Sequence, residues 1–124
     1  MGKAIGAVVV GFIVWSVLHF GNMTLVRAIF PDAIAEDGSC FEAVPLLVTL
    51  AITFIQSVIA GAVCRLAAKK GQAPLALAIL LTVVGIGVEG SMWHLAPAWY
   101  HISFIVMLAP LTLIGAAVVT KKVA

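Results

Sequence analysis

The run LALAILLTVVGIGVEGSMWHLAPAWYHISFIVMLAPLTLIGAAVVT, residues 75–120, carries one residue of the Asp, Glu, Lys and Arg type, Glu89, and a tight break at Ala96-Pro97-Ala98. A hydrocarbon core of about 30 Å is crossed by roughly 20 apolar residues in a helix rising about 1.5 Å per residue. The run is therefore long enough for two crossings, Leu75–Ala96 and Ala98–Thr120, joined as a helical hairpin at Pro97. Two further apolar blocks of the same length lie upstream, Ala4–Val26 and Val44–Leu66. The first reads as a retained span: its apolar stretch exceeds a leader's h-region, and no small-x-small cleavage site follows it. Composition agrees, because 64% of the 124 residues are hydrophobic and 10% are charged, against about 25% charged in a soluble domain. The expectation is an all-α membrane protein, a single domain over residues 1–124 folded as an antiparallel four-transmembrane-helix bundle.

The charges orient it. Lys3, Arg65, Lys69, Lys70, Lys121 and Lys122 fall on one side of the four spans, and Arg27 falls on the other with Asp32, Glu36, Asp37 and Glu42. The positive-inside rule assigns the basic side to the cytoplasm, with both termini inside. The acidic segment from about Arg27 to Ala43 is then the one sizeable outer loop, with Pro31 and Gly38 as breakers. Basic residues gathered at a membrane face read as a topology signal and as contacts to anionic lipid. The lipid bilayer is thus a partner, and nucleic acid is not expected to be one.

Polar side chains in hydrocarbon are expensive and turn toward a bundle interior. Glu89 is the one acid inside a span. His19 lies at the matching depth of the first span, since both spans run outward, so the two are expected to pair if their helices are neighbours. Ser16, His19 and Asn22 share a face of the first helix at a spacing of three. Thr49, Thr53, Gln56 or Ser57, and Ala60 form a stripe on the second. Thr82, Gly85 and Glu89 share a face of the third, and Ser103 on the fourth falls near the depth of Glu89. This cluster either fixes helix packing through interhelical hydrogen bonds or lines a proton or solute path with His19 as a titrating partner. Trp93, His94, Trp99, Tyr100 and His101 flank the hairpin turn and read as interfacial residues, where a ring with a polar handle is stable.

Other signals carry less. Gly85-Ile86-Gly87-Val88-Glu89-Gly90 matches a dinucleotide-binding pattern by letter but lies within a span, with no preceding strand. Its glycines read as sites of close helix approach, as do the small-residue pairs Gly87/Ser91, Ser57/Gly61 and Ala7/Gly11. The sequon Asn22-Met23-Thr24 is embedded at the end of a span. His94 and His101 flank the outer hairpin, and two histidines facing each other across a bundle can ligate haem iron or another metal; interfacial hydrogen bonding is the simpler reading, so no cofactor and no metal site are expected. Cys40 and Cys64 are too far apart along one helix to bridge within the chain. Cys64 reads as a small packing residue. Cys40, on the outer side, is a candidate for a bridge between subunits.

Phe30-Pro31 after a glycine-containing first helix, Pro45 opening the second, and Ala60-Gly61-Ala62 followed by basic residues form a pattern. It continues in the Pro97-x-Trp99-Tyr100 turn and in a last helix with Pro110 and Gly115-Ala116. In these features nearly the whole chain resembles a diffuse group of small, uncharacterised bacterial four-helix inner-membrane proteins. The resemblance implies a multi-pass protein of the bacterial inner membrane and brings no activity with it. With no soluble domain and no catalytic constellation, the chain reads first as a non-enzymatic accessory or assembly subunit, acting through helix contacts in a homo-oligomer or larger membrane complex. The alternative is a proton-linked channel or small-solute transporter using an intramembrane Glu/His pair, with Thr53 and Gln56 along the path.

Overall fold

The computed structural model of the chain describes residues 2–37 and 39–123, with side chains to residue 120. Gly38, read above as a loop breaker, and the side chains of Lys121 and Lys122, read as topology signals, lie outside the described residues. Four α-helices follow one another: α1 Gly2–Ile29, α2 Ala43–Ala67, α3 Ala73–Ser91 and α4 Ala98–Val123, with a 3-10 turn, Trp93–Leu95, between the last two. All four are long and apolar enough to cross a membrane. Their outward faces suit hydrocarbon: Phe20 is 77% exposed and Val17 65%, with Ile55, Val83 and Val106 similarly placed. In water such a continuous apolar surface would drive aggregation.

The helix limits follow local chemistry. Pro45 and Pro74 sit in the first turns of α2 and α3, where a missing N–H leaves no hydrogen bond unmade. The third span is shorter than the sequence suggests: its helix stops at Ser91, where residues up to Ala96 were expected. Gly90 and Ser91 are weak helix formers, and Ala96 is extended, as the residue before a proline tends to be. The 19 residues that remain still reach about 28 Å. Gly71 takes a φ of +92° in the turn between α2 and α3, a conformation that side chains disfavour. The Arg65 guanidinium donates to the carbonyls of Ala68 and Gly71 at 3.3 and 3.2 Å, closing that end.

α2 is the central helix. It touches the other three, most extensively α4 and α1, while α3 leans chiefly on α4. The α2–α4 contact is backbone against backbone. A methyl group on Gly61 would fall on the Thr112 carbonyl, and one on Gly115 would fall on the Val58 carbonyl. This reciprocal pair of glycines sets the crossing. On α1, Gly11 fits against Ala60, Cys64 and Leu77. α1 and α4 meet through rings: Phe104 stands edge-on to Trp15 and to His19, with centroids 6.1 and 5.6 Å away. Gly87 and Gly90, expected to admit a neighbouring helix, face open space; within their motif only Gly85 packs, against Leu108.

The segment between α1 and α2 folds back over one end of the bundle. The Cys40 N–H donates to the Leu95 carbonyl at 2.8 Å, tying the segment to the 3-10 turn. Ser39, through its side chain and its backbone N–H, holds the exposed Asp37 carboxyl below its usual pKa.

Candidate functional site

Glu89 lies in the last turn of α3 and His101 in the first turn of α4. Because α3 ends early and Pro97 turns the chain at once, the two side chains meet. The Glu89 carboxyl oxygen Oε2 contacts His101 Nδ1. Both residues are buried, at 6% and 2% exposure. This corrects the expectation that Glu89 pairs with His19: equal depth is met more cheaply by the hairpin partner than across the bundle. It also corrects the reading of His101 and Tyr100 as interfacial, since both rings turn into the core, while Trp93, His94 and Trp99 remain exposed. Trp93 stacks on His101 at 4.8 Å between centroids and shields it. His101 is thus engaged through both ring nitrogens and His94 stays outside, which separates the two histidines considered above as a metal pair.

The proton count at this pair follows from geometry. His101 Nε2 lies 3.1 Å from the Trp93 carbonyl oxygen. A carbonyl only accepts, so Nε2 carries a proton and donates it. One further proton is then shared between Nδ1 and Glu89. Either the acid donates to a neutral imidazole, or an imidazolium donates to the carboxylate. Both arrangements leave the pair with no net charge, which is the state that burial tolerates.

A second network joins α1 to α2. Asn22 Nδ2 reaches the Thr49 carbonyl at 3.2 Å, Thr53 Oγ1 at 3.1 Å and Gln56 Oε1 at 3.4 Å. Gln56 Nε2 lies 3.1 Å from His19 Nδ1. The hydroxyls of Thr49, Thr53 and Ser57 each donate to the carbonyl four residues earlier in their own helix. Such back-bonding is how hydroxyls are tolerated in an apolar helix, and it leaves the Thr53 and Ser57 oxygens free to accept from α1. Ser16 is half-buried and takes no part. Its place is held by Trp15, whose indole N–H donates to Ser57 Oγ at 3.1 Å. The sequence reading missed Trp15; the signal was a buried tryptophan's need for an acceptor. Ser103 is half-buried on α4, and Thr82 bonds its own helix at the Ala78 carbonyl.

The two networks face a common cavity of about 90 Å³ under the segment joining α1 and α2. Its polar walls are His19 and Arg27 of α1, Cys40, Thr49 of α2, Glu89 of α3, and Tyr100 and His101 of α4. Thus His19 and Glu89, unpaired, still border one space. His19 is held there by stacking on Trp15, 4.8 Å between centroids. A water needs about 10–15 Å³ of such space, so the cavity suits several waters or one small solute. Among the described residues, no three of the His, Cys, Asp and Glu side chains are grouped to hold a metal ion.

Cys40 lines this cavity and is 8% exposed. A sulfur so placed does not present itself to another subunit, which goes against the expected inter-subunit bridge. Oxidation of the protein in its membrane is expected to give no disulfide-linked dimer on non-reducing gels, and a Cys40→Ala variant should look the same. A dimer band lost in Cys40→Ala would show that the segment opens.

No protein-family model, curated protein or solved structure matches this chain. What defines its class is the architecture: an all-helical chain with four helices suited to crossing a membrane and, between them, a cavity bordered by Glu89 and His19.

Proposed function

We propose that this chain is a multi-pass protein of a bacterial inner membrane, an antiparallel bundle with both termini cytoplasmic, that carries a small solute in a proton-linked manner through the cavity near Glu89. One observation carries this reading: the Glu89–His101 pair, which shares a single proton, is buried against a cavity sized for a small solute. An ionisable residue inside a membrane helix is expensive and is by default a candidate for function, proton and solute paths among them. The basic residues at the Arg65–Gly71 end and the acidic segment over the cavity support the orientation, with the cavity nearer the outer face. The resemblance to small bacterial inner-membrane proteins supports the location.

The reading is tested in proteoliposomes holding a pH-sensitive dye, with an imposed pH gradient and small solutes added in turn. Wild-type protein is expected to give solute-dependent proton movement. Glu89→Gln keeps the size and hydrogen-bonding reach of the side chain but cannot release the proton, and should remove that movement. Equal movement in the two proteins would end the proposal.

A second reading keeps the chain as an accessory or assembly subunit in a homo-oligomer or larger complex. It is favoured by Gly87 and Ser91, a small-residue pair on an outward face of α3 with open space beside the glycine. Such pairs let helices approach closely in a membrane. Gentle extraction followed by native mass analysis separates the readings: a stoichiometric larger complex would favour the subunit role.

A further inference from the structure

The solute itself is legible from the charge and size of this site. We infer that the cavity takes a small monovalent cation in one-for-one exchange for the proton shared by Glu89 and His101. The inference rests on the solute-carrying reading above and names its substrate class.

Three observations converge. First, the Glu89–His101 pair holds one exchangeable proton and no net charge, because His101 Nε2 is committed to the Trp93 carbonyl. Loss of that proton leaves one uncompensated negative charge in a buried place. A single positive charge restores neutrality, a divalent cation overshoots, and an anion worsens the imbalance. Second, among walls that are otherwise mainly apolar, one oxygen and one ring are available to a cation. The Thr49 hydroxyl proton is committed to the Pro45 carbonyl at 2.9 Å, so the oxygen keeps lone pairs. Tyr100 lines the same space, and an aromatic face attracts cations. Third, the segment that covers the cavity is acidic: Arg27 against Asp32, Glu36, Asp37 and Glu42 leaves a net charge of −3 between residues 27 and 43. That field draws cations toward this end of the bundle; Arg27, whose charge is already counted in the sum, lines the cavity from the exposed end of α1. The volume of about 90 Å³ admits an alkali ion with a few waters, or an ammonium-sized cation, whereas tetraethylammonium carries its charge behind four ethyl groups and cannot bring it against the carboxylate.

The exchange balances as written. The proton leaves to solvent, the cation binds the Glu89 carboxylate, and His101 remains neutral with its proton on Nε2. Among the described residues, the other titratable or charged groups bordering the cavity are His19 and Arg27 on α1, Cys40 in the covering segment and Tyr100 on α4, with none from α2. His19 is bonded to Gln56 and takes no part in the exchange.

The test uses the purified full chain in weakly buffered detergent solution. Sodium, potassium, ammonium and methylammonium chlorides are the probes, tetraethylammonium chloride is the oversized control, and a pH indicator reports released protons. At least one small cation is expected to release one proton per chain, with apparent affinity rising about tenfold per pH unit where one proton competes with one cation. Tetraethylammonium should release none. Glu89→Gln should abolish the release, and Glu89→Asp, which keeps the carboxylate, should retain it at weaker affinity. Proton release that persists in Glu89→Gln overturns the inference, as does cation binding with no proton released. No response to any small cation also overturns it. The liposome assay with neutral solutes then tells whether the carrier reading falls as well or survives with another substrate.

Discussion

Gly61→Ala is expected to cost about 3 kcal/mol of stability, the upper end of what overpacking by one methyl group usually costs. The new Cβ would fall on the Thr112 carbonyl of α4, with the Thr112 carbonyl carbon only 2.7 Å away. Backbone atoms in a helix cannot rotate aside as the end of a leucine can. Relief requires α2 and α4 to separate, and separation also lifts Gly115 from Val58, its reciprocal contact. Gly115→Ala should therefore behave the same way, and the double variant should cost less than the sum, because one separation relieves both clashes. Gly85→Ala clashes with the Leu108 Cδ1 methyl, at 2.6 Å, with Phe104 at ordinary contact distance, and should be milder because a leucine end can move aside. Gly87→Ala meets nothing and should be neutral or slightly stabilising, since alanine is the better helix former. Thermal unfolding in detergent, followed by circular dichroism, ranks the four. If Gly61→Ala and Gly87→Ala unfold together, the close crossing of α2 and α4 is wrong.

The second large effect is at Glu89 and His101. An ordinary hydrogen bond between membrane helices contributes about 0.6 kcal/mol on average. Removing one partner of a buried ionisable pair costs about 3 kcal/mol or more, because the other is left without compensation. Glu89→Leu strands His101 Nδ1, and His101→Leu strands the Glu89 carboxyl against the cavity. Each single substitution is expected at the larger figure, and the double substitution should recover a large part of it, because neither polar group is then left behind. A double-mutant cycle under the same denaturing conditions measures the coupling. Single costs near 0.6 kcal/mol that simply add would reduce the pair to two independent polar residues. Glu89→Gln occupies a middle position: it retains a hydrogen-bonding partner for His101, so it separates loss of the proton from loss of the fold.

Both effects depend on the same simplification. Inside a membrane-suited bundle, the outward residues contribute little to the choice of neighbour, because lipid is as apolar as leucine. Neighbours are chosen by small residues that admit a backbone and by polar groups that need a partner. Gly61 and Gly115 do the first between α2 and α4. Asn22, Thr53 and Gln56 do the second between α1 and α2, and Glu89 with His101 does it between α3 and α4.

Read alone, the sequence determined the helical class, the number of long apolar helices and their approximate limits. The reason is physical: apolar length and the positions of Pro45, Pro74 and Pro97 are properties of the chain itself, independent of what any helix packs against. It also marked Asn22, Thr49, Thr53, Gln56, His19 and Glu89 as inward, since a polar residue among apolar ones has one economical direction. Only the tertiary structure decided the partners. Helical periodicity places a side chain on a face and at a depth, but several groups share each depth. The partner of Glu89 turned on where α3 stops, a matter of two weak helix formers before a proline. That early stop moved His101 and Tyr100 from the surface to the core, gave Glu89 a neighbour 12 residues away, and left His19 across the cavity from the acid it was expected to meet.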